Sequence, residues 1–165
     1  MVLTIFLAVI LCMAITVMLT SAVAFVQKKE LFSSAPEEAR VLIRERDREL
    51  FRGARVMGRI MLAMSVLTIA GVCVIAVRDG FRSGFTFREF FIRFAVILTI
   101  YKLYDMIFFD WFVLCRFGFF QYYYPETEPA LRNRTYGFNI KSQLLKLFVI
   151  FPAVSALAAW ICTKV

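Results

Sequence analysis

The sequence predicts an all-α protein: a four-transmembrane-helix bundle with an amphipathic cytoplasmic helix between the first two spans. Three observations carry this. Of 165 residues, 61% are hydrophobic, and the mean hydropathy is +0.75, whereas a soluble domain is about 45–50% apolar. The excess is gathered into four blocks, each near the roughly 20 residues that cross a bilayer as a helix. The apolar runs are continuous rather than alternating, which excludes a membrane β-barrel. The whole chain, 1–165, therefore reads as a single membrane domain.

The first block, 2–26, carries no charge. Ser21-Ala22-Val23-Ala24 resembles a signal-cleavage site. No basic residue precedes the run, however, and it is longer than a signal h-region, so it reads as a retained helix. In the loop that follows, Ser34, Pro36, Glu37 and Glu38 resemble a helix start: a cap, a first-turn proline, then acids at the positive dipole end. Ala39, Ile43, Leu50 and Ala54 form one apolar stripe beside Leu42 and Phe51. This predicts a helical loop over about 35–55 that runs nearly unbroken into the second span, with Gly53 and Gly58 as bend points. Such a loop is suited to anionic lipid headgroups, or simply to a solvated, salt-bridged extension.

The second block, 56–77, has Arg59 at its edge. Arg-Asp-Gly-Phe-Arg-Ser-Gly at 78–84 is a tight turn, and Thr86 with Glu89 three residues on is a capping box for the next helix. The third block, 90–115, holds Lys102, Asp105 and Asp110. The aromatic loop 116–143 follows, with Tyr122–Tyr124, Pro125 and Pro129 around Glu126 and Glu128, then Arg132 and Arg134. Phenols suit the headgroup zone. The last block, 144–162, contains Lys146 near its start, Pro152, and the small residues Ala153, Ser155, Ala156, Ala158 and Ala159, which favour close helix contact.

The net charge of +8 follows the loops and does not mark a nucleic-acid binder. Residues 27–59 hold nine Lys/Arg, the second loop three (Arg78, Arg82, Arg88) and the third loop four (Arg116, Arg132, Arg134, Lys141). Basic residues collect on the cytoplasmic side. The first and third loops are thus expected in the cytoplasm, and both termini outside the cytoplasmic membrane. Cys12, Cys73, Cys115 and Cys162 are isolated, one per span. Without a C-x-x-C they read as small apolar residues, although Cys73 and Cys162 both fall near the outer end, where a disulfide is conceivable. The absence of histidine removes His-ligated haem, most zinc sites and the commonest general base. No cofactor and no metal are predicted.

The run Asp105-x4-Asp110-Trp111, followed by Pro125-x-Thr127-Glu128, resembles a group of small uncharacterised bacterial four-helix membrane proteins, in which a D-W pair ends the third span and a P-G-T-E follows. Glu126 stands where that glycine would be. The resemblance covers about residues 105–138 and implies a four-span fold with no established activity.

Lys102 and Asp105 fall near the bilayer centre, where a lone charge costs about 2.5–3.5 kcal/mol. Three residues apart, they share a helix face and can pair, or share a partner such as Tyr101 or Asp110. On an α-helix Asp110 lies about 7.5 Å further along and about 140° round from Asp105 but only about 80° from Lys102, so all three share a broad polar side. Arg93 points away from Lys102 and is expected to snorkel outward. Tyr101, Lys102, Asp105 and Asp110 are therefore the candidate intramembrane polar site, read as a structural pair, a proton or ion path through Asp105, or a headgroup or catalytic site near Asp110. Glu126, Glu128, Arg132 and Arg134 are the loop candidates. Catalytic residues remain unassigned, since there is no nucleophile motif, P-loop or metal cluster. The expected function is a transporter-like, channel-like or accessory membrane subunit, associated with itself or another membrane protein. The alternative is a membrane enzyme acting on a lipid or amphipathic substrate at the cytoplasmic surface with Asp110 and the third-loop residues. The two differ in whether those acids and arginines converge on Asp110 around a cavity.

Overall fold

Long apolar runs satisfy their backbone most simply as helices. The computed structural model describes residues 1–32, 37–44, 46, 49–131 and 140–164, and every regular element among them is helical. Three helices are long and apolar enough to cross a membrane: α1 (Val2–Val26), α3 (Ala54–Arg82) and α7 (Ile140–Lys164). The short α2 (Glu37–Leu42) precedes α3. Helix α4 (Phe87–Tyr104) continues without a break into a wider π-helical stretch, Asp105–Arg116. Two short helices follow, α5 (Phe119–Tyr123) and α6 (Glu128–Leu131).

Helix α1 packs on α3 and α4, and α4 packs in turn on α7. Leu7, Ala8, Leu11 and Ile15 of α1 meet Val72 and Ala76 of α3 and Ile97 of α4 to form the main core. Burial is inverted relative to a water-soluble protein. Arg93, Lys102 and Asp110 are buried, while Phe6, Met13, Ile60, Leu67, Phe148 and Trp160 are exposed. An apolar exterior around buried charge is what a lipid solvent selects. Gly58 lets α3 approach the end of α1: a Cβ there would come within 2.7 Å of Phe25 Cβ. The small residues of the last block also lie at a helix contact, with Ser155 and Ala159 buried one turn apart.

Pro152 cannot donate a backbone hydrogen bond and crowds the preceding turn. The turn before it, Lys146–Ile150, is accordingly π-helical and absorbs the mismatch. The Thr86–Glu89 box forms as the sequence predicts, with Thr86 N–H donating to Glu89 Oε2 at 2.8 Å. That amide first, and the Thr86 hydroxyl second, hold the Glu89 carboxyl below its usual range. All four cysteines are free thiols.

The first loop departs from expectation. Among the described residues its helix covers only Glu37–Leu42, and α3 does not begin until Ala54. Gly53 takes φ +88°, a left-handed conformation that ends helical continuity, and its N–H is capped by Glu49 Oε2 at 2.8 Å. The apolar stripe divides as well. Ala39 and Ile43 are buried with Phe120, Tyr124 and Leu131 in a second small core, whereas Leu50 and Phe51 are exposed. Burial beneath the third-loop segment therefore overrides an unbroken amphipathic helix. The proposed cap at Ser34 and Pro36 lies outside the described residues.

Candidate functional site

Several polar groups of α4 and its continuation contact neighbouring helices. Lys102 and Asp105 meet as the three-residue spacing requires: Lys102 Nζ lies 2.6 Å from Asp105 Oδ2, with the lysine side chain only 3% exposed and the aspartate 15%. Tyr101 turns elsewhere and stacks on Phe151 of α7, the ring centroids 6.2 Å apart.

Asp110 is displaced from its α-helical position. A π-helix bonds residue i to i+5, as Phe117 N–H does to Phe112 O at 2.8 Å. Residues five apart return closer to one side, so Asp110 comes nearer to Asp105 than the α-helical separation of about 140°, within the polar side that the sequence predicts. It accepts a hydrogen bond from Gln143 Nε2 of α7 at 2.7 Å. Asp110 and Gln143 line a groove of about 160 Å³ together with Met106, Ile107, Trp111 and Ile140, which make its surface largely apolar.

Two further contacts complete the pattern. Tyr104 shares a 2.9 Å hydrogen bond between hydroxyls with Thr16 of α1. Arg93, expected to snorkel, is instead 5% exposed. Its Nη1 donates to Ala76 O at 2.9 Å and pairs with Asp79 Oδ2 at 2.7 Å, while the guanidinium lies over the Phe85 ring, 4.3 Å from its centroid. Two acceptors on α3, the Ala76 carbonyl and the Asp79 carboxylate, hold the arginine inside. Helix α4 and its continuation thus make polar contacts with α1, α3 and α7. Gln143, Thr16 and Asp79 were not among the sequence candidates, and their spacing along the chain does not distinguish them from ordinary surface residues.

Of the loop candidates, Glu126 is engaged away from Asp110. Glu126 Oε2 is paired with Arg46 Nη2 at 2.9 Å, and its Oε1 accepts from Arg44 N–H at 3.2 Å. Arg46 also donates to Tyr123 O at 3.1 Å and lies over Tyr124. These contacts tie the first loop to the third-loop segment above the second core, where burial pushes the Tyr124 phenol above its ordinary range. Glu128 is exposed at the start of α6, and Arg132 and Arg134 lie outside the described residues. Among the described residues no group of three His, Cys, Asp or Glu side chains could hold a metal ion.

Compared with protein-family models, curated proteins and solved structures, the chain matched none.

Proposed function

We propose that this chain is a four-span protein of the cytoplasmic membrane, with both termini outside, acting as a non-conducting, non-catalytic accessory subunit. Its third span would be α4 with the π-helical continuation. The supporting observation is the closed Lys102–Asp105 contact, buried and 2.6 Å long, on a helix from which Tyr104, Arg93 and Asp110 make polar contacts with α1, α3 and α7. A proton or ion path needs groups that exchange partners, whereas charges matched this closely serve packing and register. The basic first loop would add electrostatic attachment to anionic headgroups on the cytoplasmic side. The enzyme reading needs the loop acids gathered at Asp110, and the Glu126–Arg46 pair weighs against it.

Reconstitution into liposomes carrying an internal pH-sensitive dye tests this function. Proton leak is expected to match protein-free liposomes, and mildly solubilised native membranes are expected to hold the chain in an assembly larger than one copy. A proton flux abolished by Asp105→Asn in a protein of unchanged thermal stability would overturn the accessory reading in favour of transport.

A further inference from the structure

The groove beside Asp110 has the chemistry of a ligand site, and packing does not account for all of it. Gln143 Nε2 donates to Asp110, which fixes the amide orientation: the opposite flip would set the amide oxygen against a carboxylate oxygen. The amide oxygen Oε1 is then buried without a hydrogen-bond partner. Leaving such an acceptor unmet is costly. Asp110 Oδ1 takes no hydrogen bond from any described residue. The groove thus has two unmet acceptors, one of them anionic.

The walls restrict what can fill it. Ile107, Trp111 and Ile140 are 60%, 50% and 45% exposed, so the groove opens sideways onto an apolar surface. It lies toward the end of the helix that leads into Tyr122–Tyr124, and tryptophan and tyrosine favour headgroup depth. Lys146 is exposed on α7 three residues after Gln143, on the same side of that helix. The site thus sets a carboxylate and a neutral amide oxygen beside an apolar wall, with a cation about one turn further along α7.

We propose that this groove binds a phospholipid whose headgroup carries a primary ammonium, of the phosphatidylethanolamine type. The ammonium donates to Asp110 and to Gln143 Oε1, the phosphate lies toward Lys146, and the acyl chains run along Ile107 and Trp111. A trimethylated ammonium has no N–H to give, and an anionic headgroup without an amine leaves both acceptors unmet. The proposal rests on the four-span membrane reading but not on the absence of conduction or catalysis.

Trp111 is a reporter in the groove wall, and Trp160→Phe makes it the sole tryptophan of the chain. The full-length variant is placed in phosphatidylcholine vesicles doped with brominated-chain phosphatidylethanolamine, phosphatidylcholine or phosphatidylglycerol, and quenching gives relative affinity. Ethanolamine lipid is expected to be preferred by about tenfold over choline lipid, the scale of a charge-assisted hydrogen bond. Asp110→Asn should abolish the preference and Gln143→Leu should reduce it. Should Asp110→Asn fail to fold, Met106→Phe, which fills the groove from its wall, is expected to abolish the preference in its place. Soluble phosphoethanolamine at millimolar concentration should not compete. Equal quenching by ethanolamine and choline lipids, strongest quenching by phosphatidylglycerol, or competition by soluble phosphoethanolamine overturns the lipid-amine site while leaving the four-span reading intact. No quenching by any brominated lipid overturns both.

Discussion

Lys102 and Asp105 form a contact ion pair one helical turn apart, Nζ to Oδ2 at 2.6 Å, in the buried interior of the helical assembly. Neutralising one partner leaves the other charge buried, a loss of about 3–5 kcal/mol in comparable pairs. Asp105→Asn is expected near the lower end of that range, because the aspartate retains some exposure. Lys102→Met combined with Asp105→Leu should cost less than either single change, because no charge is left uncompensated. Reversible unfolding in mixed micelles measures all three. Two harmless single changes would show that the pair contributes nothing to packing.

Much of this arrangement is legible in the sequence, and what is not has identifiable causes. Apolar blocks announce the helices because burial in lipid depends on composition. The Lys102–Asp105 pair and the Thr86–Glu89 box are local, so spacing alone finds them. Asp110 is different. Its direction was read with α-helical geometry, and the widening from Asp105 onward changes the phase. Gln143, Thr16 and Asp79 act across helices, and no single-helix pattern specifies which neighbour comes within reach. The first-loop helix was read too long because the stripe Ala39–Ile43–Leu50–Ala54 fits one face of a helix, although only its first half meets a third-loop partner to bury against.

Arg93 should prove a stability residue. One Nη1 serves both the Ala76 carbonyl and Asp79, so Arg93→Met takes the charged partner from the Asp79 carboxylate and removes a guanidinium packed over Phe85. A loss of about 1–3 kcal/mol is expected from the broken charged hydrogen bonds. Arg93→Lys should recover only part of it, because an ammonium is a point donor that cannot reproduce the planar guanidinium contact. Thermal unfolding in detergent of the two variants side by side is the measurement. Full recovery by lysine would mean that charge alone matters.

Gly58 sets the approach of α3 to the end of α1. A methyl group there meets Phe25 Cβ at 2.7 Å and Val26 N at 3.2 Å, and a backbone atom cannot swing aside. Gly58→Ala should therefore destabilise by about 1–3 kcal/mol despite its better helix propensity. At Gly71, where nothing lies within 4 Å, the same change should be neutral or stabilising. Opposite signs at the two sites in one unfolding assay are the expected result.

Glu89 gives the start of α4 a defined pH dependence. Its carboxyl is held below the ordinary range by the Thr86 amide and then the Thr86 hydroxyl. A depressed carboxylate contributes stability that is present above its unfolded pKa and is lost as pH falls through the folded one. Amide exchange at Thr86, whose N–H donates to Glu89 Oε2, corrected for intrinsic rates, should therefore lose protection on acidification. Glu89→Gln should show reduced protection that no longer varies with pH across that window.

The course of α4 through the bilayer is open to a direct test, because the four-span and three-span arrangements place the third-loop segment on different sides. The first loop carries nine basic residues and the 78–88 turn three, so the first loop is expected inside. The Arg46–Glu126 pair holds the third-loop segment against the first loop. For both to lie on one side while the 78–88 turn lies on the other, α4 and its continuation must cross. Single cysteines at Ser83, Leu50 and Glu128, all exposed positions, are introduced after Cys12, Cys73, Cys115 and Cys162 are replaced by alanine. An impermeant maleimide applied from outside should label Ser83→Cys and neither Leu50→Cys nor Glu128→Cys. Labelling of Leu50→Cys and Glu128→Cys alone would invert the orientation and keep four spans. Labelling of Glu128→Cys together with Ser83→Cys would take α4 out of the membrane, and with it the crossing on which the Asp110 groove depends.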